Sequence, residues 1–566
     1  MTESTQRSGM GGSLVPGTYP APEAMRPTLV GESWSVVAGH PRVSMVAAEI
    51  FAAGGNAVDA GVAAGLASNV VQVDMCNFGG IAPILVRPAG ETNCFSVAGI
   101  GRWSRSASIE KLVSRYGGKL PLDGAPAIVP GAPAGWLKAL EKFGTMSFAE
   151  VVAPAIKLAK EGFLLDRRSA QSLEITGRGY SRFETSAAIY QPGGKPLPEG
   201  TRLRQLALGD LLASLAEAET KAKGSREQRI RAAHESFYQG PVAVEIASWV
   251  TKQGGYLTES DLAEFEAEVE IAPTAKIGDW IFASTDSWSQ GPVALEILGI
   301  LSRTKGSWHE IIEATTLAFN DREDFFAAPG QMEKDIQEFL AEKYFDQQAA
   351  RITNTAAMGR TVGVEIAQVD KSTTSIVTMD KSGCSFAASP SDTLDGGPII
   401  PSLGIMCSPR GVQSRLDPNH SNAMRPWGRP VVSPAALIAT RDDDLWAMAC
   451  PGGDVIVQAM AQVAWRVINQ GLSLQEAVEA PRVAAFNSPN SFHPHPSADR
   501  YVFAEGRIPE TEIANLRKQG HNVQVWPEFE FDAGSVQTIM SLQNQEGERV
   551  LSAGADPRRS AYSISI

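Results

Sequence analysis

Thr373-Thr374-Ser375-Ile376-Val377-Thr378-Met379-Asp380 is the stretch whose reading decides the fold. Its second half alternates in the manner of a strand. It ends in the turn-like Asp380-Lys381-Ser382-Gly383, and a second apolar stretch follows, so the run enters a hairpin. A Thr-Thr pair in a strand is ordinarily β-branched packing. Far downstream, however, Cys450-Pro451-Gly452-Gly453-Asp454 interrupts another strand-like run over 445–450, which puts a Gly-Gly loop at a second strand end. A chain cut between Ser372 and Thr373 would carry a hydroxyl and a free α-amine on one residue. With an unperturbed pKa of about 7.7–8, that amine can serve the hydroxyl as general base near neutral pH. Such a site needs no histidine.

Composition bounds the answer without deciding it. The chain has 566 residues, of which 43% are hydrophobic, enough for a large core, and length alone suggests two to four domains. A formal net charge of −13 argues against nucleic acid or an anionic membrane as partner. No apolar run reaches transmembrane length. Residues 1–27 are rich in Gly, Ser, Thr and Pro, with neither a basic start nor a hydrophobic stretch. They read as part of a flexible tail over 1–33 rather than a signal peptide, and the expected compartment is the cytoplasm. Cys76, Cys94, Cys384, Cys407 and Cys450 show no C-x-x-C spacing, which suits packed thiols in a reducing compartment. His493 and His495 form the one tight histidine pair, with no third ligand at a zinc-like spacing, so they read as loop. No metal or other cofactor is expected.

Periodicity places helices over 42–53 and 57–70, broken by a C-cap turn at Gly54-Gly55. Further helices are expected over 148–161, ended by Gly162, and over 308–324 and 458–469. Residues 216–231 read as one charged surface helix. Thr258-Glu259-Ser260-Asp261 resembles a capping box opening a helix over 261–266. Residues 327–372 read as loose, a suitable approach to a processing site.

Several motifs, in order, carry a resemblance. Gly54-Gly55-Asn56-Ala57-Val58-Asp59-Ala60, Val129-Pro130-Gly131-Ala132-Pro133-Ala134-Gly135 and Gly254-Gly255-Tyr256-Leu257-Thr258 are similar to the γ-glutamyltransferase family. Ala318-Phe319-Asn320-Asp321-Arg322, Ser433-Pro434-Ala435, Pro451-Gly452-Gly453 and Ala555-Asp556-Pro557-Arg558-Arg559 continue the match across roughly 34–560. The resemblance implies an N-terminal nucleophile hydrolase: an α/β αββα sandwich of two stacked antiparallel sheets flanked by helices. It also implies one mixed body built from two fragments of a precursor, a large one over 34–372 behind the tail and a small catalytic one over 373–566. Assembly into a homodimer of such heterodimers is left open.

On that resemblance Thr373 would attack the Ser372 carbonyl in maturation and a substrate amide in turnover. The N–H groups of Gly452 and Gly453 would receive the oxyanion, donors worth about 3–4 kcal/mol each. An ungapped count from Thr373 puts the relatives' second hydroxyl, which bonds the nucleophile, at Ser391. Thr374 either assists through its hydroxyl or packs.

The substrate positions depart from the family pattern. Relatives hold an α-carboxylate with an arginine in an Arg-Glu-Thr-Ala-Pro stretch and with a Ser-Ser doublet. Here Arg102 keeps the arginine in the context Gly101-Arg102-Trp103-Ser104, and the doublet falls on Arg429-Pro430-Val431-Val432. Where relatives place an acidic segment for an ammonium, this chain has Cys407-Ser408-Pro409-Arg410-Gly411. With Leu416-Asp417-Pro418-Asn419-His420, that stretch resembles the branch containing oxamate amidohydrolase-like proteins. Arg410 in place of an acid suits an anion. The expected substrate is a small amide bearing a carboxylate; the alternatives are a conventional glutathione hydrolase or transferase and, from another class, a non-catalytic relative.

Overall fold

The alternation of the opening stretch resolves onto the two faces of one strand, Ile376–Asp380. Ile376 packs with the outer helices, and the Thr378 hydroxyl donates to the Ala57 carbonyl at 2.6 Å. Val377 and Met379 point the other way, into a core shared with a second sheet. In this computed structural model the described residues are 24–121, 124–175, 180–356, 372–392 and 397–566.

Ile376–Asp380 pairs antiparallel with Trp34–Ala38 on one side and Ser385–Ala388 on the other. The sheet extends through Tyr562–Ser565 at one edge, and through Ala82–Arg87, Phe95–Gly99 and Val269–Ile271 to the other. The second seven-stranded sheet runs Leu29–Gly31, Arg549–Ala555, Gln537–Gln543, Asp444–Ala449, Ala436–Arg441, Trp280–Ser284, Thr274–Ile277, again antiparallel throughout. Val37, Leu85, Val377 and Ala387 of the first sheet meet Ile438, Leu445, Ala447 and Ile539 of the second. Outside the first sheet lie Pro41–Ala52, Ala57–Val71 and Ala132–Phe143; outside the second, Gly291–Leu301 and Val455–Gln470. Four layers with three apolar interfaces result, which is the αββα sandwich the resemblance implied.

The helix Ala57–Val71 is buried at every position, because the first sheet lies beneath it and other helices cover it. Its contact with the sheet is close: a Cβ on Gly61 would come within 2.3 Å of the Phe386 ring. Asn56 caps it reciprocally with Asp59, leaving Gly54 at φ +94° to make the turn.

Three expectations need correcting. Residues 216–231 form no single surface helix. Leu206–Lys221 stops, and Ser225, capped reciprocally with Gln228, starts Arg226–Tyr238, which buries Ile230, Ala233 and Phe237. The expected tail over 1–33 ends early, since Leu29–Gly31 adds an edge strand to Arg549–Ala555. Residues 327–372 are not uniformly loose: Ile336–Phe339 and Glu342–Ala349 are helical and bury Phe339 and Phe345, while 357–371 lie outside the described residues. Among the described residues no helix is long and apolar enough to cross a membrane.

Candidate active site

Thr373 lies just before Ile376–Asp380 and is 1% exposed, with the Ser372–Thr373 bond intact. Its Oγ1 is hydrogen-bonded to the Ser372 carbonyl oxygen and lies 2.8 Å from Ser391 Oγ. Ser391 Oγ in turn donates to the same Ser372 oxygen at 2.6 Å. The hairpin brings these groups together. Ile376 pairs with Ala388, and beyond the strand Thr374 N–H bonds the Pro390 carbonyl at 3.0 Å. The Ser391 N–H is fixed to Ile81 at 3.0 Å.

Arg410 sits behind Ser391. Its Nη2 donates to Ser391 Oγ, its Nε to the Asp392 carboxylate, and its Nη1 to Gln413 Oε1 at 3.0 Å. Asp392 also accepts from the Ser408 hydroxyl at 2.5 Å. Its backbone has φ +83°, a strained value for a non-glycine that costs on the order of 1–3 kcal/mol. Asn77, bonded to the Asp392 carbonyl at 3.0 Å, and the buried Arg410 ion pair hold it there. The guanidinium is 1% exposed, so the structure gives Arg410 a position behind a hydroxyl in place of the open anion receptor expected from sequence. A cation donating to Ser391 Oγ frees the Ser391 proton to point at the Ser372 oxygen, where negative charge would develop on attack.

Gly452 and Gly453 occupy the turn before Val455–Gln470, at φ +138° and +60°. Both values are unfavourable for L side chains, which accounts for the glycines. The turn sits at a helix N-terminus, where N–H groups and the macrodipole favour an anion. Asp454 is clamped by Ser491, through N–H at 2.8 Å and Oγ at 2.5 Å, and by Gln290 Nε2 at 2.8 Å. Gln413 joins Ser491 Oγ at 3.1 Å, so polar contacts run from Ser391 through Arg410 and Gln413 to the Gly-Gly turn.

A cavity of about 30 Å³, room for a water or two, opens beside Thr373. Thr373, Thr374, Pro451, Asp74, His40 and Arg559 are among its lining residues. The Thr374 hydroxyl donates to Gln72 at 2.8 Å, which ties it to the wall. His40 is bonded to Asp166 at 2.9 Å, and that hydrogen bond holds the Asp166 carboxyl down at about 2. Burial pushes Asp74 up, towards its neutral form. Arg102 lies elsewhere: Nη2 pairs with Glu268 at 2.6 Å, Nη1 donates to the Trp427 carbonyl at 3.0 Å, and Glu268 also takes Arg429. The five cysteines are free and buried, and burial pushes the Cys450 thiol up to about 11.

The structure therefore gathers Ser372, Thr373, Ser391 and Arg410 at one point and sets Arg102 in a separate ion-pair cluster. Sequence reasoning missed Asp392, Asp454, His40, Asp74 and Arg559. Arg559 stands in the Ala555-Asp556-Pro557-Arg558-Arg559 stretch, where its neighbour Arg558 pairs with Glu505 and Asp556.

A threonine at a strand mouth within an αββα sandwich defines the N-terminal nucleophile hydrolase class. The family model described as Gamma-glutamyltranspeptidase matches residues 43–566, and the chain belongs to that family. Among its relatives are the glutathione hydrolase proenzyme of Bacillus subtilis (strain 168), 25% identical over 95% of this chain and 92% of that protein. The oxamate amidohydrolase proenzyme of Klebsiella pneumoniae is 28% identical over 92% of this chain and 96% of that protein. A crystal structure of cephalosporin acylase from Bacillus halodurans superposes with a TM-score of 0.84 at 26% identity, covering 98% of this chain and 99% of that one. Membership and these proenzyme relatives make the chain a self-processing amide hydrolase in its coarse description.

Proposed function

We propose that the chain cuts itself before Thr373 and then hydrolyses small carboxylate-bearing amides through a Thr373 acyl-enzyme. The observation that carries this reading is the Thr373 hydroxyl held on the Ser372 carbonyl, with Ser391 at 2.8 Å from it and bonded to the same oxygen. In maturation Thr373 Oγ1 attacks the Ser372 carbonyl carbon, and its proton passes to the Thr373 nitrogen as the C–N bond breaks. Water opens the resulting ester, leaving a Ser372 carboxylate and a free Thr373 amine. In turnover the same oxygen attacks a substrate amide while that amine takes the proton. The Gly452 and Gly453 N–H groups and the Ser391 hydroxyl are the oxyanion donors. The leaving amine departs, and water releases the acid.

Carboxylate-bearing amides are favoured over γ-glutamyl amides because the acidic segment and the serine doublet are replaced at 404–411 and 429–432. The Klebsiella relative's name points the same way. The test is a substrate-loss screen over small amides with wild type and Thr373→Ala. Thr373-dependent loss of carboxylate-bearing amides, with γ-glutamyl amides slow, is expected. Efficient γ-glutamyl turnover would return the chain to conventional glutathione hydrolysis, and activity surviving in Thr373→Ala would overturn the mechanism.

A further inference from the structure

Arg559 is the buried cation of the Thr373 cavity. It is 8% exposed and lines the cavity together with Thr373 itself. Its Nη1 donates to the Thr373 carbonyl at 3.3 Å and touches Met75 Sδ at 3.7 Å; its Nε bonds the Phe531 carbonyl at 3.3 Å. The guanidinium lies 3.9 Å from the centre of the Phe531 ring, a stacking that fixes its plane. Among the described residues, Nη2 has no hydrogen-bond partner. This is an uncommon state for a buried guanidinium, since an N–H left unmatched loses its hydration with nothing in return.

Among the described residues the charged neighbours leave Nη2 without a hydrogen bond, although the Asp532 and Asp74 carboxyls work against burial to hold Arg559 up. Arg168, on the same cavity wall, adds like charge, and its Nη2 is occupied by the Arg558 carbonyl at 3.1 Å. His40 is turned to Asp166. Asp74 shares the cavity, but burial favours its neutral form. Burial with incomplete compensation draws Arg559 down to about 10, the sense expected of a cation lacking a full counter-charge. The two arginines expected to receive an anion, Arg102 and Arg410, are each already matched to a carboxylate.

We infer that Arg559 is the receptor for the substrate carboxylate, with Nη2 as its donor and the acyl group short. The length follows from placement. Nη1 is 3.3 Å from the carbonyl oxygen of the nucleophilic residue, and backbone bond lengths keep its nitrogen within about 4 Å of that oxygen. An anion held by the same guanidinium therefore lies beside the residue that carries the nucleophile, which suits a short acyl group. This assignment rests on the hydrolase reading above and names the residue that sets its substrate class.

The experiment compares a short amide carrying a carboxylate with its neutral isostere, in which a primary amide replaces the carboxylate. Wild type, Arg559→Lys and Arg559→Met are assayed, each after maturation. The readout is the ratio of kcat/KM for the two substrates. Loss of one charge-assisted hydrogen bond lowers that ratio by about 10- to 100-fold in Arg559→Met, chiefly through KM, and Arg559→Lys recovers part of it. A purely structural Arg559 would weaken both substrates alike, so an unchanged ratio overturns the inference while leaving Thr373 chemistry intact. Should Arg559→Met fail to mature, wild-type inhibition decides. Small carboxylates competing at least tenfold better than their amide isosteres support the assignment, and equal inhibition overturns it. Turnover that survives in Thr373→Ala would instead defeat the hydrolase reading, a separate failure.

Discussion

On its hydroxyl side Thr373 faces groups that are matched to one another, whereas on its carbonyl side it faces a guanidinium with an N–H left over. Ser391, Arg410, Asp392, Ser408 and Gln413 form one closed set of hydrogen bonds with a buried ion pair at its centre. Such a set holds geometry, because moving any member strands a buried donor or charge. The cavity opposite, with Arg559, Asp74 and His40, is incomplete in the way a binding site is. The difference separates two tasks where sequence reading had only one, an anion receptor at Arg102 and Arg410: one buried cation, Arg410, orients a hydroxyl, and another, Arg559, awaits an anion.

The largest expected effects break the closed side. Ser391→Ala removes the second hydroxyl and should lower kcat by about 100-fold or more, the scale of losing one oxyanion donor. Arg410→Met removes the cation that faces the buried Asp392 carboxylate, and should lower kcat and also destabilise the fold by about 3–5 kcal/mol. Steady-state kinetics with urea unfolding on the same preparations separates the two effects. A Ser391→Ala enzyme of wild-type kcat would show the hydroxyl contact to be idle packing.

A second test sharpens the open side. With the Thr373 amine as base, kcat/KM falls on the acid side with a midpoint at or below about 7.7, because the nearby Arg559 cation disfavours a second positive charge. His40, which lines the cavity, is engaged with Asp166 and takes no proton in this scheme. His40→Gln should therefore leave the acid midpoint unmoved. A shift, or loss of turnover in a folded variant equal to that of Thr373→Ala, would make His40 the base.

The smallest effect comes from a site remote from both sides. His521 lies 2.8 Å from His309, and burial, with the His309 and Arg500 charges, holds it down at about 4. Its folded pKa is below the unfolded value of about 6.5, so the stability it contributes is present above pH 6.5 and lost as pH falls towards 4. His521→Phe should flatten the fall in unfolding free energy between pH 7 and pH 4 by about 2–3 kcal/mol, read from urea curves at each pH. Kinetics at neutral pH should stay unchanged.

What was legible in the sequence was local or ordered. Alternation at 376–379 marked a strand, the Asn56 and Thr258 caps marked helix starts, and Phe148–Glu161 ends at Gly162 as read. Residues 216–231 depart from a single surface helix because the Ser225–Gln228 box, set within a run of charged residues, restarts the helix. Ser391 emerged from a count along the chain, since a hairpin preserves register across its turn. The tasks of Arg102 and Arg410 were not legible. What an arginine does depends on the carboxylate that folding brings to it, and Glu268 lies 166 residues from Arg102. Arg559 escapes for the same reason: it meets Thr373 across 186 residues.

The central claim is that Thr373 is the residue that cuts the chain and then performs the turnover. Intact-mass analysis of the purified protein, with N-terminal sequencing of the smaller species, tests it most directly. The account predicts two fragments, the smaller beginning at Thr373, and a single full-length species for Thr373→Ala. An active wild type that remains one chain, or a new terminus at any other residue, would contradict it.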